Sequence, residues 1–368
     1  MDIIIIGGGR WARVLSKELI RIVPLDVSIC MCSPRNSSYL LKWAIKTGLS
    51  ARVDIVNSLP SMLPSSNTVV LVANAAKDHV KSVEWAIKLG SKLVMVEKPI
   101  SLSHIATKKI VDKALLSNVI FAPSNVFSFD NTIENYIQRI KKKAKLNSVF
   151  ILWEDPVFEH RHNEIKYYDA TLPVFADWLP HIVAIIWDII PSRNLIIKRV
   201  NILKGGATVK VKLKSREINL DIVMVRNGKK RQRVMEVLAD EKKLKLDFSD
   251  RSGIIYEEGE TIIVNPDPKE RGPLSKMLIE FLKSENKEKL DSRFNTEIGL
   301  VANRLIDEIM PLYKTDQLNW LSSKLVKCPS VDDEIKYAIT ELFNYKEEPP
   351  KQVIDREVQK LKKVYLKK

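Results

Sequence analysis

The chain has 368 residues, 45% hydrophobic and 29% charged, with three cysteines and a formal net charge of +15. This length suits two domains. No stretch approaches the roughly 18 consecutive apolar residues of a membrane span, and three cysteines argue against a disulfide scaffold. The basic excess is spread out, and its densest clusters, Lys141-Lys142-Lys143 and the terminal lysines, do not alternate with aromatics. A single-strand nucleic-acid face is therefore not expected. The opening MDIIIIGGG has too short an apolar run for a secretory leader, so the expected compartment is the cytoplasm.

The first 125 residues alternate short apolar runs with helical patterns. Ile3–Ile6 is a predicted strand, followed by Gly7-Gly8-Gly9 and a helix in which Trp11, Val14, Leu15, Leu19 and Ile22 share a face. Further strands are predicted at Val27–Cys32, Arg52–Val56, Val69–Ala73, Leu93–Val96 and Val119–Ala122. Helices are predicted at Ser37–Thr47, Asp78–Leu89 and Ser101–Ser117. Continuous apolar strands separated by helices imply a doubly wound parallel sheet.

After Asn147 the pattern changes. Strands at Val149–Trp153, Ile196–Leu203, Ala207–Leu213, Glu217–Arg226, Arg233–Leu238, Leu244–Phe248 and Thr261–Val264 include clear apolar–polar alternation, as in Val209–Leu213. Such alternation implies a mostly antiparallel sheet with one wet face. Asn227-Gly228 reads as a hairpin turn between two strands. Helices are predicted at Trp178–Ile189, Leu274–Lys283 and Glu297–Met310, with a lysine-rich helical end in which Ser330 and Asp333 resemble a capping box. The expected division is a dinucleotide-binding domain over 1–125, an α/β domain over 126–312 and a helical extension over 313–368.

Four places could carry chemistry. Gly7-Gly8-Gly9-Arg10-Trp11-Ala12 is a G-x-G-x-x-A between strand and helix. Its glycines allow a tight turn against a pyrophosphate, which the helix N-terminus would attract. At the end of the second strand, Cys32-Ser33-Pro34-Arg35-Asn36 lacks the acidic residue that binds the ribose of NAD. Ser33 and Arg35 instead suit a 2′-phosphate, which favours NADP, with NAD the alternative. Glu97-Lys98-Pro99 ends the fifth strand at the edge where ligands of such sheets bind. Asp177-Trp178-Leu179-Pro180-His181 places an N-capping aspartate four residues before a histidine. Cys30 and Cys32 read as buried thiols. His160-Arg161-His162 lacks a complete ligand set, so no metal is expected.

Together these motifs resemble the glucose-fructose oxidoreductase / inositol dehydrogenase (Gfo/Idh/MocA) family over about residues 1–310. The resemblance rests on IIIIGGGRWA, on VVLVANAAKDHVKSVEWAIKLGSKLVMVEKPIS and on DWLPHIVAIIWDI, in that order. It implies a Rossmann domain, then an α/β domain with an open antiparallel sheet, through which a homo-oligomer would form. It implies hydride transfer between NAD(P) and a small polar substrate such as a sugar or cyclitol. Lys98, Asp177 and His181 would be catalytic, and the Lys98–Pro99 bond is often cis in the family. Ala73, Asn74, His79, Glu97 and Lys98 would join Gly7, Gly9, Arg10, Trp11, Ala12, Ser33 and Arg35 around the cofactor. The chain departs from the family pattern at Thr171-Leu172-Pro173, Leu179, Ala73–Ala76 and Ser124–Phe127. The charged segment Trp153–Asp169 is expected to help choose the substrate. An imine reductase and a non-catalytic NADP-binding regulator are the other readings.

Overall fold

The computed structural model describes residues 1–325 except 66, 144, 157–158, 162–163, 167–171, 191, 251, 266–268 and 285–289. His162, Asp169, Thr171, Ser330 and Asp333 lie outside the described residues, as do the side chains of Glu159, His160, Arg161 and Lys166. The chain forms two compact units. One comprises Met1–Asn131, Val183–Ile185 and Pro268–Arg304; the other comprises Thr132–Ile182, Ile186–Asp267 and the chain from Leu305.

In the first unit, β1 (Asp2–Ile6), α1 (Arg10–Ile22), β2 (Ser28–Cys32), α2 (Ser37–Lys46), β3 (Asp54–Val56) and β4 (Thr68–Val72) precede α3 (His79–Lys88). β5 (Leu93–Val96), α4 (His104–Leu116) and β6 (Ile120–Pro123) follow. The sheet order is β3-β2-β1-β4-β5-β6, and every pairing is parallel. Strand alternation sends Ile3 and Ile5 into one apolar cluster and Ile4 and Ile6 into another. Both faces are thus covered, which is why these strands are apolar at every position. The chain returns to this unit late: Met277, Leu278 and Phe281 of the helix Pro273–Lys283 join the Ile3–Ile5 cluster, with Phe294. Farther on, the buried Asn303 amide donates to the Ser101 carbonyl (2.7 Å) and the Thr107 hydroxyl (2.6 Å).

The second unit opens with α5 (Asn131–Lys141), β7 (Leu146–Pro156) and a small pair, β8 (Glu159–Arg161) and β9 (Glu164–Lys166). Then come α6 (Val174–Ile186), β10 (Ile196–Leu203), β11 (Thr208–Ser215), β12 (Ile218–Gly228), β13 (Gln232–Ala239), β14 (Lys242–Asp247), β15 (Gly253–Glu257) and β16 (Glu260–Val264). The eight-stranded sheet runs β10-β11-β12-β7-β13-β14-β15-β16, and only the β12–β7 pairing is parallel.

Two expectations are corrected. Asn227-Gly228 does not close a hairpin, because β7 lies between β12 and β13 and pairs with both. Gly228 serves a different need. The β12–β7 register shifts between Val225 and Gly228, and a Cβ at 228 would meet the Glu154 side chain at 2.0 Å. Helix α6 begins at Val174, one turn before the predicted start, so Asp177 is inside its first turn and is not the N-cap. Its N–H already donates to the Pro173 carbonyl (3.1 Å). Pro180 therefore falls inside the helix. The helix is nonetheless held, because Val174, Phe175, Ala176, Leu179, Ile182 and Val183 are all fully buried. Burial of that apolar surface outweighs one missing backbone hydrogen bond. β15 was not apparent from the sequence pattern; it is a short edge-side strand opening on Gly253.

Candidate functional site

In the first unit the parallel register runs one residue past each strand. Gly7 N–H donates to Cys32 O (2.9 Å), Ala73 N–H to Ile6 O (2.8 Å), Glu97 N–H to Val72 O (2.9 Å) and Ser124 N–H to Val96 O (2.9 Å). Ser33 N–H donates to Val56 O (3.0 Å). The carboxyl edge therefore carries Gly7, Ser33, Ala73, Glu97 and Ser124 side by side.

The three glycines have separate reasons. Gly7 has φ +146, and a Cβ there would stand 2.5 Å from the Ala73 carbonyl oxygen. A Cβ on Gly8 would stand 2.4 Å from Ser33 Oγ. Gly9 is the N-cap of α1, and a Cβ there would meet nothing within 4 Å. Open space thus fronts the first turn, where Arg10, Trp11 and Ala12 present N–H groups without intrahelical acceptors. The next loop is tied to this turn: Ser33 Oγ accepts from Asn36 N–H (3.3 Å), and the Gly8 carbonyl accepts from Arg13 (3.4 Å) and Asn36 (3.5 Å). Arg35 is exposed beside them.

Among the described residues, buried Asn74 Oδ1 completes no hydrogen bond, and Trp11 Nε1 and Glu97 Oε1 lie near one another without reaching full hydrogen-bond geometry. Asn74 spends its amide N–H on Ser82 Oγ (2.8 Å). Glu97 is 9% exposed, and burial pushes its carboxyl above the ordinary range, opposed by the nearby Trp11 indole, Ser124 hydroxyl and Lys98 ammonium. Lys98 is half-buried and its bond to Pro99 is cis. His79 is 2% exposed; its Nδ1 faces the Pro99 carbonyl (2.8 Å) and its Nε2 the Asn74 carbonyl (3.2 Å). Burial lowers its pKa, and a neutral ring can donate to only one of the two. The geometry makes His79 a strut between two loops of the edge.

In the second unit, α6 presents Asp177 and His181 one turn apart. Asp177 Oδ2 is paired with Arg226 Nη2 of β12 (3.2 Å), and Arg226 Nη1 donates to the Leu172 carbonyl (2.7 Å). The His181 ring is parallel to the Trp153 indole, at 5.7 Å and 7°. Trp153 also stacks on Trp178 (6.0 Å) and meets Phe248 edge-on (5.9 Å). The Arg233 guanidinium sits 4.4 Å from the Trp153 ring and pairs with Asp155 (3.2 Å), both side chains 4% exposed. A buried ion pair contributes little net stability; this one lies against the indole face.

The sequence reading named Asp177 and His181 and missed Trp153, Arg226 and Arg233. One signal was available. Val149, Ile151, Trp153 and Asp155 alternate onto one face, so a carboxylate follows three apolar residues on the buried side of β7. Among the described residues, no three His, Cys, Asp or Glu side chains are grouped to hold a metal ion, and no helix is long and apolar enough to cross a membrane.

No family model matches the chain, and no curated protein matches it in sequence. Solved structures do match in fold. UDP-N-acetylglucosamine 3-dehydrogenase GnnA from Acidithiobacillus ferrooxidans superposes with TM-score 0.63 at 14% identity, covering 84% of this chain and 96% of that one. A dehydrogenase (MviM) from Clostridium difficile gives 0.68 at 15% identity, covering 85% and 99%. KijD10, a 3-ketoreductase from Actinomadura kijaniata in complex with NADP, gives 0.68 at 12% identity, covering 84% and 97%. The chain has the two-domain fold of these oxidoreductases, a Rossmann sheet and a mostly antiparallel sheet, as the Gfo/Idh/MocA resemblance implied.

Proposed function

We propose that the chain is an NAD(P)-dependent oxidoreductase, NADP preferred, acting on a small polar alcohol or carbonyl of the sugar or cyclitol class. The observation that carries this reading is the carboxyl edge of the first sheet. There the open space at Gly9 adjoins a helix N-terminus and an edge bearing the unsatisfied Asn74 Oδ1 and the incompletely bonded Trp11 Nε1 and Glu97 Oε1, all buried. Such atoms are costly to bury alone, and a polar dinucleotide would satisfy them. Ser33 and Arg35, with no carboxylate beside them, support NADP over NAD. GnnA is a UDP-N-acetylglucosamine 3-dehydrogenase, which supports a sugar substrate, and KijD10 is a 3-ketoreductase in complex with NADP, which supports carbonyl chemistry with that cofactor.

When bound, the nicotinamide supplies or accepts the hydride. The chain's own residues do the rest. His181 moves the proton to or from the substrate oxygen. Asp177, braced by Arg226, orients α6 at that turn. Lys98 holds the reacting oxygen and the cofactor ribose, and Glu97 and His79 position Lys98. Gly7, Gly9, Arg10, Trp11 and Ala12 hold the pyrophosphate, while Ala73 and Asn74 border the nicotinamide end.

The test is a fluorescence titration with NADPH, then NADPH oxidation across ketoses, nucleotide-linked keto sugars, inososes and keto acids. Lys98→Ala and His181→Ala should abolish turnover while leaving NADPH bound. A wild-type protein that binds neither NADPH nor NADH would overturn the reading.

A further inference from the structure

Outside the residues assigned above, the described part of the first unit holds two thiols in contact. Cys30 and Cys32 lie two residues apart on one face of β2, with their sulfurs 3.9 Å apart. Both thiols are free; Cys30 is half-buried and Cys32 fully buried. The pair sits at the root of the glycine turn. The Cys32 carbonyl accepts the Gly7 N–H (2.9 Å), and the next residue, Ser33, fills the space beside Gly8.

We propose that Cys30 and Cys32 are an oxidative modification site: a dithiol that hydroperoxides convert to an intrastrand disulfide, loosening the glycine turn. The two thiols differ in the way a reactive pair requires. The Cys32 S–H lowers the Cys30 pKa against the effect of burial, while that same bond and burial raise Cys32. Cys30 is therefore the thiolate-forming and more accessible partner.

The chemistry balances in two steps. The Cys30 thiolate attacks a peroxide oxygen; an S–O bond forms, the O–O bond breaks, and the alkoxide or hydroxide leaves and takes a proton. Sulfur has lost two electrons and is a sulfenic acid. Cys32 then attacks the Cys30 sulfur; the S–S bond forms, the S–O bond breaks, and hydroxide leaves with the Cys32 proton as water. The sum is two thiols and one hydroperoxide giving one disulfide, one alcohol (water, for hydrogen peroxide) and one water.

The structural consequence follows from reach. Side chains two strand steps apart are parallel, which puts their Cβ atoms roughly 6.6 Å apart, whereas a disulfide holds them about 3.5–4.5 Å apart. Closing the sulfurs from 3.9 Å to bonding distance requires β2 to bend at Met31. β3 pairs with β2 over only three residues, Asp54 to Val56, whereas β1 pairs along all of β2, so the bend is transmitted to the β1 ladder that ends at the glycine turn. The bend moves the Cys32 carbonyl off Gly7 N–H and shifts Ser33 against Gly8.

The experiment uses the full chain carrying Cys328→Ser, which removes the third cysteine, treated with hydrogen peroxide. Peptide mass spectrometry should show the Cys30–Cys32 peptide lighter by two hydrogens, reversed by dithiothreitol. In Cys32→Ser, dimedone should label Cys30. Hydrogen exchange across Ile6–Val14 should rise in the oxidised form, and NADPH affinity should fall roughly tenfold, as expected when one or two backbone bonds are lost. The proposal fails if both cysteines still alkylate after peroxide. It also fails if the disulfide forms and exchange across the turn is unchanged. If the reduced protein does not bind NADPH, the cofactor reading fails, and mass and exchange still decide this proposal.

Discussion

The imidazole of His181 lies parallel to the indole of Trp153, 5.7 Å between centroids and 7° between planes. The histidine stands on a helix and the tryptophan on a strand whose neighbour contributes Arg233, 4.4 Å from the indole. The ring plane of the proposed proton carrier is therefore set from the sheet as well as from its own helix. Trp153→Phe keeps an aromatic face and should hold kcat within about threefold. Trp153→Leu should lower kcat by about tenfold with the NADPH KM unchanged. Steady-state kinetics on both variants decide this; wild-type kcat in Trp153→Leu would show that the stacking has no role in turnover.

The Asp155–Arg233 pair makes a stability prediction. Asp155→Ala removes the carboxylate paired with a buried guanidinium, and should cost about 3–5 kcal/mol in chemical denaturation. Replacing both, with Asp155→Leu and Arg233→Met, should recover most of that loss. A double variant as unstable as the single one would mean that the pair does more than neutralise itself.

Gly7 and Gly9 should separate folding from binding. Gly7→Ala places a Cβ against the Ala73 carbonyl at φ +146 and should cost about 1–3 kcal/mol of stability. Gly9→Ala has room and should cost no more than about 1 kcal/mol, the N-cap preference for glycine over alanine. Its methyl would stand where we place the pyrophosphate, so NADPH affinity should fall about tenfold. Thermal melts and NADPH titrations of the two variants should show opposite patterns.

Arg35 is exposed at the end of β2. Arg35→Ala should weaken NADPH by about tenfold, the loss of one charge-assisted contact, and leave NADH affinity unchanged. Equal losses for both cofactors would remove Arg35 from 2′-phosphate recognition.

Burial raises the Glu97 carboxyl pKa in the folded chain. Above its ordinary titration range the unfolded chain releases that proton while the folded chain retains it, so this group's contribution to stability falls as pH rises through that window. Glu97→Gln cannot ionise. Its melting temperature should exceed the wild type's at neutral pH and match it at acid pH. Melting curves across pH test this, and a constant difference at all pH values would exclude the burial effect.

Much of the first unit was legible in the sequence, because a strand covered on both faces must be apolar throughout and Ile3–Ile6, Val69–Val72 and Leu93–Val96 are. The strand-to-helix turn was legible for a local reason too, since the positive φ at Gly7 is a backbone that few other residues tolerate. The second sheet was less so. Alternation located most of its strands but carried no information about their order, and Asn227-Gly228 suggested a hairpin that β7 interrupts.

The sequence by itself determined the local matters: which segments are strands, where the backbone needs glycine, and which side chains could do acid–base chemistry. Only the tertiary structure decided that β7 stands between β12 and β13, that Pro180 lies within a helix, that Arg226 rather than a cap takes Asp177, and that Trp153 faces His181. The physical reason is range. Strand and turn preferences act over a few residues, whereas these pairings join positions tens of residues apart whose meeting depends on burying the whole sheet face at once.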